Sequence, residues 1–234
     1  MISTNFLIPL LWIFSFTSPA EISETAAITP PKNPVSLYEQ LAEKTAILPK
    51  KEVFTLAMQG WQKLNKDLKS KVITIIDFSL PSTEKRMWII DPENQMVLLH
   101  SVVSHGRNSG NLMADKFSNQ PESYQSSLGF YKTAETYQGK HGYSLRLDGL
   151  EKGFNDQARN RAIVIHGADY AREEFAKSVG RLGRSLGCPA LPTELSAKAI
   201  DFIKDGSLLF IYGKDDNYLK SSALISSSDL LSTP

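Results

Sequence analysis

The chain of 234 residues holds one cysteine, Cys188, and 22 positions before it an apolar run, Ile163-Val164-Ile165, ends in His166-Gly167. A free thiol titrates near ~8.5, so only a small fraction is thiolate at neutral pH. An imidazole within hydrogen-bond reach can take that proton and leave a thiolate–imidazolium pair able to attack a carbonyl. The intervening residues are enough for a loop and a helix to bring a strand-end histidine beside the sulfur. Gly187 has no side chain to block an approaching carbonyl, and the backbone N–H groups of Gly187 and Cys188 are candidates for an oxyanion hole. Pro189 has no N–H to contribute. The stretch from Gly180 to Leu191 is rich in Gly and Arg, a poor setting for a cysteine that merely fills a core.

Other groupings compete for the same residues. Gly183-Arg184-Ser185-Leu186-Gly187 has the spacing of a serine-hydrolase elbow, but that elbow needs a strand leading in and a histidine later in the chain. His100, His105, His141 and His166 all precede Ser185, which rejects it. His141, Asp148 and His166 form a possible zinc set with an open position for water, although no glutamate is placed as its base. His105 follows the apolar run Leu98–Val103 and is the alternative base to His166; His100, inside that run, reads as a core residue. Gly106–Gly110 lacks the Gly-Lys-Ser/Thr and following helix of a phosphate loop.

The elements that must hold these groups are mostly short strands. Val72–Phe78 is β-branched and apolar, and Met87–Asp91 and Met96–Val103 flank the turn-like Pro92-Glu93-Asn94-Gln95, predicting a hairpin. Further strands are expected at Ser127–Lys132, Tyr143–Leu147, Ala162–His166 and Leu208–Tyr212. Ahead of them, Ser36 and Glu39 have capping-box spacing for a helix through Glu43, and Phe54, Met58, Trp61 and Leu64 predict a second helix over Glu52–Lys66. Later helices are expected at Tyr170–Lys177 and Glu194–Lys204, the second capped by Thr193. Long loops fall at Ser104–Ser126 and Gly180–Leu191. The pattern predicts a mainly β architecture with α additions (α+β) rather than alternating βαβ units.

Composition bounds the function. With 26 Lys+Arg against 25 Asp+Glu, the formal charge of +1 excludes a general nucleic-acid binder, which needs a cationic surplus. A single cysteine excludes an internal disulfide and any cysteine-rich metal site. Phe6–Phe16 is apolar and Ser18-Pro19-Ala20 offers small residues before a cut after Ala20, so residues 1–20 are expected to be an export signal, leaving no stable membrane span. Export places the thiol in an oxidising compartment, where an unpaired cysteine calls for a chemical reason. The expected organisation is then a Pro-rich linker over 21–34, a two-helix segment over 35–69, a catalytic domain over 70–213, and a polar Ser-rich tail over 214–234 that does not pack.

The strand-final His166-Gly167 followed by Ser185-Leu186-Gly187-Cys188 resembles the murein L,D-transpeptidase catalytic domain family of peptidoglycan enzymes. The likeness runs from Phe78 to Tyr212 and includes Ser104–Gly110, Ser126–Tyr131 and Gly139–Leu147. Leu186 stands where that family's second histidine sits, and Pro189-Ala190 replaces its apolar-Arg pair. The resemblance implies a β-sandwich catalytic domain with its cysteine in a groove, located in the periplasm or cell envelope of a bacterium and needing no cofactor. It implies thioester acyl transfer on peptidoglycan stem peptides, by transpeptidation or by carboxypeptidase or amidase hydrolysis. Cys188 is then the nucleophile and His166 the base, oriented by a backbone carbonyl for which Gly167 is the candidate. Arg184, Ser185, His105 and Arg107 are candidates to bind the substrate, the two arginines by holding a stem carboxylate and His105 by lining the groove. The departures at Leu186 and Pro189-Ala190 motivate a different reading, a wall-binding module without chemistry.

Overall fold

A computed structural model describes Met1 and residues 34–226. Apart from Met1 and Pro34, the expected export signal and linker lie outside the described residues, as do positions 227–234. The elements run α1 (Pro34–Lys44), α2 (Lys51–Leu64), β1 (Ile73–Asp77), β2 (Met87–Asp91), β3 (Met96–Ser101), β4 (Gly129–Gly139), β5 (Gly142–Gly149), β6 (Val164–Gly167), α3 (Glu173–Val179), β7 (Ala190–Leu191), α4 (Thr193–Ile203), β8 (Leu208–Tyr212) and α5 (Asp216–Ser221).

The strands form one mixed sheet in the order β3-β2-β1-β8-β4-β5-β6-β7. Pairs β1–β8 and β6–β7 are parallel and the others antiparallel. A bridge between Ser104, just past β3, and Ala190 in β7 ties the two edges together, so the sheet curls into a nearly closed barrel. The α+β expectation holds, and the two layers foreseen as a sandwich are opposite walls of this one curled sheet. β1 and β8, β-branched and apolar, are buried along their whole length at its centre.

The N-terminal helices share the sheet's core. Leu37, Leu41, Phe54 and Trp61 pack in one cluster with Ile75, Phe130 and Phe210, each such buried side chain contributing about 1.5–3 kcal/mol. Gly60 makes the fit possible, since a Cβ there would lie 2.2 Å from the Phe130 ring. α1 opens at Pro34, two residues ahead of the expected cap Ser36, because proline suits a first turn whose N–H has no partner to lose. Thr193 is likewise the first residue of α4 rather than its cap, and its hydroxyl bonds Asp169 instead. The helix expected from Tyr170 begins as a short 3-10 turn and becomes α-helical only at Glu173.

Residues 214–226 pack, unlike the expected tail. The Asp215 side chain caps α5 by accepting the Tyr218 N–H at 2.8 Å, and Tyr218 and Ile225 are buried. The Tyr218 hydroxyl reaches the buried Glu151 at 2.9 Å. Two apolar anchors and one distant acceptor outweigh the serine-rich composition of this stretch. No helix among the described residues is long and apolar enough to cross a membrane.

Candidate active site

The parallel pairing of β6 with β7 sets His166 beside Ala190 and Gly167 beside Leu191. Cys188, two residues before Ala190, therefore runs alongside Val164, whose N–H donates to Cys188 Sγ at 3.5 Å. The thiol donates to Ala162 O at 3.7 Å. Ala162 adopts a left-handed backbone (φ 54°), a conformation costing a non-glycine residue on the order of 1 kcal/mol. Cys188 keeps part of its surface accessible, yet its surroundings are dense enough that burial pushes the thiol pKa up. Val164 N–H, Arg161 and Lys140 pull the other way.

His166 bonds the carbonyl of Gly167 through Nδ1 at 2.9 Å. A carbonyl only accepts, so Nδ1 carries the proton and Nε2 keeps its lone pair. The ring stacks on His141, in the turn between β4 and β5, with centroids 4.2 Å apart. Burial, helped by the nearby His141 and Lys140, lowers the His166 pKa against the raising effect of Gly167 O. Imidazole and thiol both rest neutral. Cys188 and His166 line one groove of about 370 Å³, with no hydrogen bond between them in this conformation.

The loop before the sulfur is fixed by Ser185. Its hydroxyl donates to Cys188 O at 2.6 Å and accepts the Gly187 N–H at 3.0 Å. The Gly187 amide, expected in the oxyanion hole, is thus already engaged, because the hydroxyl two residues earlier is its nearest acceptor. The Cys188 N–H bonds no other residue among those described. Gly187 itself is required: its φ is 124°, and a Cβ would lie 2.9 Å from Gln125 O and 3.0 Å from Ile163.

Arg184 lines the same groove, and its Nη1 is anchored to Arg107 O, Gly110 O and the Asn111 side chain at 2.8–3.1 Å. Arg107 lies over the Tyr124 ring in an adjoining cavity of about 490 Å³ that it shares with Arg184. His105 is not a groove residue. It is 1% exposed, with Nδ1 accepting from Arg86 at 2.8 Å and Nε2 facing Gly110 O at 3.3 Å, so both ring nitrogens are occupied. Burial and Arg86 hold its pKa at about 4. The zinc set is not assembled either: Asp148 is bound by Arg159, and no three His, Cys, Asp or Glu side chains converge among the described residues.

Sequence reasoning passed over Arg86 and Arg161, and weighed His141 only as a zinc ligand or a loop residue. Arg86 is wholly buried, donating to Leu80 O and Val103 O as well as to His105. His141 owes its place to Gly139-Lys140-His141-Gly142, whose flanking glycines mark a two-residue hairpin turn. Arg161 also lines the groove, and no spacing pointed to it.

The profile of the L,D-transpeptidase catalytic domain matches residues 46–212. No curated protein sequence matches the chain. Among solved structures, an L,D-transpeptidase from Mycobacterium smegmatis is similar at 15% identity (61% of this chain, 58% of that one, TM-score 0.36). Mycobacterium tuberculosis L,D-transpeptidase 1 is similar at 14% (61% and 61%, TM-score 0.35), and one from Stackebrandtia nassauensis at 14% (78% and 79%, TM-score 0.39). The chain spans less than two-thirds of the length of the two mycobacterial structures.

Proposed function

This chain belongs to the L,D-transpeptidase catalytic domain family, and on that premise we propose that it is an exported cysteine acyltransferase of the bacterial cell envelope acting on peptidoglycan stem peptides. The observation that carries the reading is the hydrogen bond between His166 Nδ1 and Gly167 O. With its proton held on Nδ1 by Gly167 O, the imidazole offers Nε2 as a base in the groove that holds the chain's one thiol.

Cys188 attacks the amide carbonyl of the third stem residue, and the thiol proton passes to His166 Nε2 as the sulfur leaves Ala162 O. The tetrahedral intermediate collapses to a thioester while His166 returns the proton to the departing D-alanine amine. A side-chain amine of a second stem, or water, then takes the acyl group and restores the thiol. A raised thiol pKa and a lowered imidazole pKa favour proton transfer during attack over a preformed ion pair. The Cys188 N–H is the backbone donor for the oxyanion. Arg184, whose Nε and Nη2 bond nothing among the described residues, is suited to a stem carboxylate.

Intact-mass measurement after incubation with a tetrapeptide-bearing muropeptide tests this. A thioester adduct on Cys188, absent in Cys188→Ala and His166→Ala, is the expected result, and the released product separates cross-linking from trimming. Turnover by a folded Cys188→Ala protein would overturn it.

A further inference from the structure

Among the described residues no carboxylate lines the groove around Cys188; its charged and titratable walls are Tyr137, Lys140, His141, Arg161, His166, Tyr170 and Arg184. Within that set Arg161 and Arg184 are both half-buried and paired only with neutral oxygens, but Arg161 has both terminal nitrogens engaged where Arg184 has one. Arg161 Nη1 donates to Ser118 O at 2.7 Å and to Ser127 Oγ; Nη2 donates to Gln125 O at 2.6 Å and Ser123 Oγ at 3.2 Å. A guanidinium taken partly out of water without a carboxylate keeps an uncompensated positive charge, and a low-dielectric setting lengthens its reach. Its location beside the sulfur is fixed from both sides. The next residue, Ala162, accepts the Cys188 thiol. Nη2 would lie 3.3 Å from a Cβ on Gly187, the residue before Cys188.

We propose that Arg161 is the resident counter-charge of the Cys188 sulfur, a positioning residue that stabilises the thiolate, and the oxyanion formed from it, through its field rather than by contact. All four terminal N–H bonds of its fork are spent on the loop of residues 118–127, so the cation is immobile and needs no rearrangement as negative charge develops. The same bonds explain why an arginine is used: a lysine carries the charge but cannot grip four oxygens at once. Arg161 thereby supplies from the turn before β6 a cation that Pro189-Ala190 do not supply after the cysteine. The inference rests on Cys188 being the nucleophile, as proposed above.

Because Cys188 is the chain's one cysteine, the rate of iodoacetamide alkylation against pH reads the titration of this thiol alone, whether or not peptidoglycan is the substrate. Three variants of the full chain separate charge from grip. Arg161→Met removes both, Arg161→Lys keeps the charge, and Ser123→Asp sets a carboxylate against Nη2 while leaving the arginine in place. Arg161→Met and Ser123→Asp are expected to move the alkylation midpoint up by about one unit, slowing the reaction at neutral pH on the order of tenfold. Arg161→Lys is expected to keep most of the wild-type rate. If Arg161→Met does not fold, Ser123→Asp and Arg161→Lys decide. A folded Ser123→Asp or Arg161→Met protein with the wild-type midpoint overturns the proposal. So does a folded Arg161→Lys protein as slow as Arg161→Met or Ser123→Asp, which would make Arg161 a loop clamp. A muropeptide that leaves no adduct while these shifts appear would count against the substrate and not against the arginine.

Discussion

His141 lies face to face with His166, their ring centroids 4.2 Å apart and their planes 21° from parallel. The stack excludes water from one face of the imidazole proposed as the base, and His141 with Lys140 adds positive charge that opposes its protonation. A base must be neutral to work, so this neighbour extends activity toward acid.

His141→Ala should therefore raise the His166 pKa. In wild type the acid limb of kcat/KM is expected below the ordinary histidine value of about 6.5, and in the variant it should move upward. Activity at pH 6 then falls more than activity at pH 8. A profile that loses height equally at every pH would show that His141 only shapes the groove.

Ser185 and Gly187 make the second relationship. Ser185→Ala leaves the Gly187 N–H and Cys188 C=O without their partner beneath the sulfur. Buried groups left unpaired cost about 1–3 kcal/mol, here concentrated in one loop. Amide exchange at Gly187 should accelerate, with a smaller fall in the global urea midpoint. Unchanged protection at Gly187 would mean the turn is held by Gly187 O and Ser126 instead.

How much of this was legible in the sequence depended on how local its causes were. β8 matches its apolar run residue for residue, because both sides of that strand are covered and hydrophobicity alone marks it. β4 runs to Gly139, well past the expected Lys132, since its outer half alternates polar residues and is stabilised by β5 through a bulge that no local pattern reveals. Cys188, His166, Ser185 and Arg184 line one groove, reached from a strand end and a glycine-rich loop. The Gly187 amide and His105 were misjudged because their fates depend on a hydroxyl two residues away and on Arg86, neither visible as a motif. Arg161 reaches the groove by tertiary pairing, which spacing does not encode, whereas the glycines flanking Lys140-His141 mark the turn that carries His141.

The buried Arg86–His105 pair makes stability depend on pH. His105 is held near 4 in the folded chain and titrates near 6.5 when unfolded, so between these values the unfolded state binds more protons. Stability from this residue is present above about pH 6.5 and is lost as pH falls toward about 4, a loss on the order of 3 kcal/mol. Urea midpoints should decline over that window, and His105→Gln should decline less steeply even though it starts lower. Parallel slopes in the two proteins would place the acid sensitivity elsewhere.

The C-terminal packing gives a test of the core itself. Glu151 is buried beneath the start of β4, where its carboxylate accepts the Phe130 N–H at 2.7 Å, the Tyr218 hydroxyl at 2.9 Å and the Ser222 hydroxyl. Two of these three donors come from residues after Gly213. Tyr218→Phe removes one donor with almost no change of shape, and a hydrogen bond to a carboxylate is worth about 1.5–3 kcal/mol, so the urea midpoint should fall accordingly with an unchanged slope. A chain ending at Gly213 loses both donors and the apolar cover of Tyr218 and Ile225, and should lose more than Tyr218→Phe and Ser222→Ala together. Equal stability of the shortened and full chains would mean that Glu151 finds water instead, and that the segment after β8 is an attachment rather than part of the folding unit.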